Sequence, residues 1–500
     1  MKEYIKNNKK IITFALYMVI TFTLIFFHEN WRDEAQAWLI ARDCNVFELL
    51  HQMKYEGHFL LWYLILMPFA KLGLPYFTTN VISWIITSLS VWLILDKAPF
   101  KFYKRVLLIF TFPLLYLFPI ISRCYCLIPL EIVLMCIFYK DRKERPLRYL
   151  LSVVLLANTH VIMLGMVGIV LLEYIIEFYK DSKNISAKDK KKQINSLAIT
   201  IILLILTMLP LFGCLSTNQD IGTTNNFVEK VLTAIFYCPL TLIMLAFNFF
   251  MYDTTMSSLI LGITIILMLF DVKNYPLTYL KIFLCVMWQC LIYSFIYGAT
   301  FQRASTIIFI LLYFKWTNAF KENKQIKDIE KRIVNLLWMI LVIINILGGI
   351  LYIIFYEIPY NCSNAYQMGN YINANLNDGS IILSGPRVEF ASSVIPYVEK
   401  DIKFYHITGN RFFTYAIMDS LNKLDIKFDD IQKLSNIFEK NQKLYYIYCN
   451  DKFDVGEEAI EYNEMDLIKE CIEKGIFKEL YSTEKESLYL ESYVIYEVNL

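Results

Sequence analysis

The chain is poor in helix breakers: its 500 residues hold only 13 prolines and 16 glycines. Its 11 cysteines form no Cys-x-x-Cys pair and no set of paired metal-ligand spacings, so neither a zinc clamp nor a disulfide framework organises the fold. Cys124 and Cys126 stand two apart, which suits neighbouring positions in a turn. Net charge is only +2, leaving no bulk attraction to nucleic acid. No small-residue cleavage site follows the first apolar stretch, residues 11–27. His28-Glu29-Asn30-Trp31 come next, so the stretch reads as an uncleaved anchor behind Lys2, Lys6, Lys9 and Lys10. Internal repeats and low-complexity segments are missing too.

What is present is apolar length. Hydrophobic residues make up 57% of the chain, and the runs at 197–213, 282–297, 304–316 and 333–355 approach or exceed the ~20 residues that cross a bilayer. Lysine and arginine concentrate in four loops: four in 97–105, five in 140–148, six in 180–192 and five in 321–332. Such loops stay cytoplasmic, together with the N-terminus. Loops 28–57, 122–126, 215–227 and 298–303 then lie outside, as does everything after Phe355. The class is an α-helical polytopic membrane protein, with about ten or eleven membrane helices plus juxtamembrane helices.

Parity adds detail. Residues 59–70 form a 12-residue run, about 18 Å as a helix, too short to cross and therefore re-entrant or half-embedded. Part of 227–252 should lie along the membrane surface for the same reason. Residues 149–180 must go out and return, with Asn158-Thr159-His160 at the apex. Polar groups at that depth are costly and are commonly functional.

From Glu357 onward, 24 acidic residues face 14 basic ones, a break in character from the basic first 356. Strand-like runs at 381–383, 404–407, 444–448 and 487–497 alternate with helical patterns at 412–424, 431–440 and 464–474. We therefore expect a transmembrane domain over 1–356 and an extracytoplasmic α/β domain over 357–500.

The first outer loop carries the chemistry. Two short amphipathic helices fit within residues 28–63. In the first, Ala35, Trp38 and Leu39 share an apolar face; in the second, Val46, Leu49, Leu50 and Met53 do. Both should rest on the interface, apolar side down. Asp33 suits an N-cap position, with Gln36 completing a capping box. Ionisable groups crowd the same loop: Glu29, Arg32, Asp33, Glu34, Arg42, Asp43, Glu56 and His58. A carboxylate among them can take a proton from a hydroxyl, and the cations can hold a phosphate. Arg123 and Arg303 stand in outer loops where orientation needs no positive charge.

An acidic pair, Asp33-Glu34, in the first outer loop at the start of a juxtamembrane helix resembles the GT-C glycosyltransferases. That superfamily includes protein O-mannosyltransferases and the lipid A aminoarabinose transferase. Tyr55-Glu56-Gly57-His58-Phe59-Leu60 resembles a segment in which a basic residue precedes two prolines; here His58 takes the basic place and Phe59-Leu60 replace the prolines. Arg123-Cys124-Tyr125 followed by Pro129 resembles an Arg-x-Tyr motif, without the usual following Asp. Gln302-Arg303 resembles a later outer-loop arginine.

The resemblance implies Asp33 as catalytic base with Glu34 as its fallback, and a donor-phosphate site of His58, Arg123, Tyr125 and Arg303. Arg32, Arg42 and His160 would line the cavity. The activity implied is inverting transfer of a sugar from a polyprenyl-phosphate donor to a hydroxyl of a glycan, lipid or protein outside the cell membrane, with no cofactor and no metal demanded. Isoleucine-, lysine- and asparagine-rich usage fits an AT-rich bacterial genome, for which the carrier is undecaprenyl phosphate. Two other readings stand beside this one. A flippase for lipid-linked glycans should show repeats and mid-membrane charges. A receptor sensing through 357–500 would leave the charged first loop without a task.

Overall fold

The computed structural model describes residues 2–56, 58–208, 227–247, 254–296, 298–320, 328–419, 421, 425–439, 442–449, 464–483, 487–489 and 491–500. The outer loop expected at 215–227 falls outside them except for Phe227, as does the first part of the basic loop at 321–332.

Apolar runs fold as helices because backbone N–H groups in hydrocarbon must find partners within their own segment. Seven described helices are long and apolar enough to cross a bilayer: Asn8–Ile25, Thr78–Lys97, Val161–Asp181, Ala187–Met208, Phe227–Ala246, Pro276–Phe295 and Ile329–Glu357. Shorter apolar helices at Leu60–Lys71, Cys124–Tyr139 and Pro146–Ala157 pack among them.

Two helices fix the placement of the first outer loop. Helices α1 (Lys2–Ile25) and α5 (Thr78–Lys97) run antiparallel. Lys10 pairs with Asp96 at 2.6 Å at one end, and the Trp84 indole donates to Thr21 Oγ1 at 2.9 Å further along. At the other end Phe26 stacks on Phe77 with ring centroids 5.7 Å apart. The chain therefore leaves and re-enters the bundle at one end. Helices α2 (Arg32–Asp43), α3 (Val46–Glu56) and α4 (Leu60–Lys71) connect these points. The 12-residue α4 packs along α2 instead of threading the bundle.

The basic loops meet at the opposite end. Lys192 donates to the Glu144 carbonyl at 2.6 Å, Arg142 pairs with Glu177 at 2.5 Å, and Lys104 reaches Asn335 at 2.5 Å. The hairpin over 149–180 turns where expected, at the break between Pro146–Ala157 and Val161–Asp181. There Asn158, Thr159 and His160 are buried. Phe227–Ala246, part of which was expected along the surface, is one apolar 20-residue helix with a π turn at Thr233–Tyr237. Residues 248–253 lie outside the described ones.

After Glu357 and the helix Ala365–Asn375 comes a six-stranded mixed sheet, ordered β3-β2-β1-β4-β6-β5. The strands are β1 (Ile381–Ser384), β2 (Lys403–His406), β3 (Arg411–Phe413), β4 (Leu444–Cys449), β5 (Phe477–Ser482) and β6 (Tyr493–Val498). Central β1 lies parallel to β2 and β4; the other pairings are antiparallel. Side chains alternate between faces. Ile382, Phe404, Tyr445 and Ile495 face one core, while Ile381, Leu383, Tyr446 and Tyr496 face another. The expected helix at 412–424 is not formed over its described residues. Gly409-Asn410, with Asn410 at φ 47°, turns β2 back into the hairpin strand β3.

The two parts meet on α2. Its residues from Glu34 to Ala41 are all buried, so the helix does not rest on an interface with a wet face. Trp38 packs against Tyr76 on the helical side, with centroids 6.0 Å apart, whereas Leu39 enters the core beneath the sheet. Two layers cover the helix, and the sequence pattern had shown only one.

Candidate active site

Adjacent helical residues point ~100° apart, and this separates the acidic pair. Trp31, not Asp33, is the N-cap of α2. Glu34, at the third helical position, folds back to accept the Trp31 N–H at 3.2 Å, so Glu34 takes the capping-box part expected of Gln36. Gln36 is spent elsewhere: its Nε2 donates to Glu56 Oε1 at 2.8 Å and to the Ala416 carbonyl at 2.6 Å, binding α2 to the sheet domain.

Glu34 is also saturated. Its Oε2 lies 2.9 Å from His28 Nε2, and its Oε1 accepts the Ser122 N–H at 2.5 Å. His28 Nδ1 in turn lies 3.0 Å from Glu357 Oε1. Fully buried and fully engaged, Glu34 presents no face to a substrate. It positions the loop that carries Arg123, and the fallback role as base does not suit it.

Asp33 turns the other way, with 36% of its side chain exposed. Its Oδ2 pairs with Arg123 Nη1. The Arg123 guanidinium lies 5.7 Å from the ring centres of both Trp31 and Tyr125, and its Nη2 is 2.8 Å from His58 Nε2. His58 and His160 lie ring to ring at 5.1 Å. His160 Nε2 is 3.1 Å from the Tyr125 hydroxyl, to which Arg303 Nε donates at 3.0 Å. Six residues from four separate stretches thus form one connected row: Asp33, Arg123, His58, His160, Tyr125 and Arg303.

The direction of these bonds decides what the row offers. An arginine only donates, so His58 Nε2 accepts and the ring proton sits on Nδ1. That Nδ1 is buried with no hydrogen-bond partner. His160 Nδ1 accepts the Ile162 N–H at 3.3 Å, which leaves Nε2–H to donate to Tyr125. The Tyr125 oxygen then accepts twice, and its own proton remains for a ligand. The row presents donors, as an anion requires.

Electrostatics agree. Desolvation opposes a charge on Asp33, but the arginines, Arg123 first and then Arg32 and Arg303, outweigh it and hold the carboxyl below its usual range. His58 was expected to serve as a cation in the place of a lysine. Desolvation, then Arg123 and Arg303, push it down to about 3 instead. It is neutral at physiological pH and contributes an N–H. The positive charge of the site is that of Arg123 and Arg303.

Two expected cavity residues are elsewhere. Arg42, at the far end of α2, closes on its neighbour Asp43 at 2.7 and 2.9 Å. Arg32 points to the sheet domain: its N–H and Nη1 reach Glu491 Oε1 at 3.0 and 3.4 Å, and its guanidinium covers Phe390. Helical rotation carries both away from the face that Asp33 occupies. Two further residues, neither given a role by the sequence, stand near the row. Trp31, stacked on Tyr489 at 4.3 Å, walls Arg123 from behind. Glu56, half-buried and hydrogen-bonded by Gln36, Gln52 and Tyr63, is pushed up to about 7 chiefly by desolvation.

No protein-family model matches the chain, and no curated protein matches it in sequence. Solved structures do. ArnT from Cupriavidus metallidurans in the apo state is similar with a TM-score of 0.53 at 10% identity, over 99% of this chain and 98% of that one. The same protein bound to undecaprenyl phosphate gives 0.52 at 8% identity, over 98% of each chain. The likeness runs through the helical part and the sheet alike, so the chain shares the fold of these structures.

Proposed function

We propose that the protein is an inverting glycosyltransferase that takes a sugar from a polyprenyl-phosphate donor and gives it to an acceptor hydroxyl on the outer face of the membrane. The observation that carries the reading is the row from Asp33 to Arg303: one partly exposed carboxylate beside two arginines and ring and hydroxyl groups with protons to donate. The fold shared with ArnT, solved with undecaprenyl phosphate, supports it.

In the reaction, Asp33 takes the acceptor's proton as the acceptor oxygen bonds to C1. The bond between C1 and the phosphate oxygen breaks with its electron pair, and polyprenyl phosphate leaves. A phosphate leaves readily as an anion, so no strong general acid is needed. Arg123, Arg303, His58 Nδ1–H and the Tyr125 hydroxyl hold the leaving oxygens. In the free protein Arg123 is spent on Asp33. An arriving phosphate competes for that guanidinium, which loosens the ion pair and makes Asp33 a better base when donor is present.

Binding tests the site before turnover. Purified protein in lipid nanodiscs is titrated with undecaprenyl phosphate and with undecaprenol. We expect the phosphate to bind and Arg303→Ala to weaken it at least ~10-fold, the loss of one charged contact. Equal binding of the alcohol would overturn the reading.

A further inference from the structure

Away from the reacting row, His28, Glu357 and Cys362 come together at the junction of the first helix, the last long helix and the start of the sheet domain. One ligand atom from each lies within 4.8 Å of the others, and all three residues are buried. His28 Nδ1 is 3.0 Å from Glu357 Oε1, and Cys362 Sγ is 3.1 Å from Glu357 Oε2. Zinc bonds of ~2.0–2.3 Å to nitrogen, oxygen and sulfur put tetrahedral ligand atoms about 3.3–3.7 Å apart. The cluster is already near that size.

The surroundings point the same way. Glu34 Oε2 sits 2.9 Å from His28 Nε2 and takes its proton. A carboxylate behind a histidine is the usual support that turns the other ring nitrogen to a metal. Here that nitrogen stands 3.0 Å from a Glu357 carboxylate oxygen, a contact that either a second ring proton or a metal ion can serve. A second ring proton would serve those two atoms only. A metal ion engages the thiolate as well, and a thiolate–imidazole–carboxylate set suits zinc. The Tyr116 hydroxyl, bonded to Glu357 Oε2, stands beside the fourth position.

We propose that His28, Glu357 and Cys362 bind one zinc ion that fastens the sheet domain to the first and last helices. The site is structural: its three ligands are buried, and Asp33 is not among them. It gives Glu34 a definite task, orienting a metal-bound histidine, while its neighbour Asp33 serves the substrate. It also bears on the reaction, since Glu34 holds the Ser122 N–H next to Arg123.

The full-length protein, purified in detergent, is equilibrated with zinc, desalted and assayed for metal by mass spectrometry. We expect ~1 zinc per chain, falling at least ~10-fold in His28→Asn and in Cys362→Ser, the loss typical of a missing ligand. Cobalt loaded in place of zinc should give a thiolate charge-transfer band. Cys362→Ser should abolish the band, and Cys449→Ser should keep it. Cys362→Ser is nearly isosteric, so it carries the test if His28→Asn does not fold. Wild-type protein that retains under ~0.1 zinc per chain, or Cys362→Ser that retains the wild-type amount, overturns the proposal.

Discussion

Replacing Arg123 separates the binding of phosphate from the restraint of the base. The guanidinium does three things at once: it pairs with Asp33, donates to His58 at 2.8 Å, and lies between Trp31 and Tyr125. Lysine keeps the charge but is a single point, and it loses the fork to His58 and the ring contacts. A charge-assisted hydrogen bond contributes about 1.5–3 kcal/mol, so Arg123→Lys should weaken donor binding roughly 10- to 100-fold. Arg123→Ala should do more, because it also strands Asp33. With its first counter-charge gone, desolvation dominates and the Asp33 pKa rises. The base must be ionised, so the acid limb of kcat/KM should move to higher pH in Arg123→Ala. In the wild type it should lie below ~4, where an ordinary carboxylate titrates. Transfer of labelled sugar in nanodiscs across acidic pH reads both effects. Unchanged donor affinity with an unmoved acid limb would refute the coupling.

Three other outcomes follow from the same geometry. Glu34→Gln keeps the shape but breaks a buried, charged contact to His28, and should lower stability by about 3–5 kcal/mol in thermal unfolding; loss of turnover at full stability would mean that Glu34 takes part in the chemistry. Glu56 is held at about 7, above its value of 4.5 when unfolded. The folded state therefore binds the extra proton, stability falls as pH rises from 4.5 to 7, and Glu56→Gln should remove a dependence worth up to about 3 kcal/mol. Leu39→Ala should cost about 2–5 kcal/mol, and limited proteolysis should then release the sheet domain more readily.

The sequence disclosed the grouping of the loops and the motifs better than the rotation of each helix. Charge clusters put the basic loops together, and they do meet at one end of the bundle. The short run at 59–70 was read from its length alone, and α4 has the same length of 12 residues, shifted by one to Leu60–Lys71. Asp33, His58, Arg123, Tyr125, Arg303 and His160 all converge, although they come from loops far apart in the chain.

Arg32 and Arg42 were assigned to the cavity because they share its loop. Loop membership does not say which way a helix turns, and the sheet domain takes one face of α2 for itself. His58 looked like a cation because histidine stood where a lysine was expected. Only the spatial neighbours Arg123 and Arg303 show why it is neutral. Strand β3 was lost inside a helical pattern because one turn, at Gly409-Asn410, decided it. His28, Glu357 and Cys362 have no shared spacing at all, so a search for paired ligand motifs passes over them.

Asp33→Asn tests the central claim most directly. It preserves the shape of the side chain and its place in the first turn of α2, removes the proton acceptor, and releases Arg123 for the donor. In single-turnover transfer from polyprenyl-phosphate sugar, with donor saturating and protein stability verified, the rate should fall ~10²–10⁴-fold, the range for a lost general base. Donor affinity should stay equal or tighten. Transfer at the wild-type rate would contradict the assignment of Asp33 as the base.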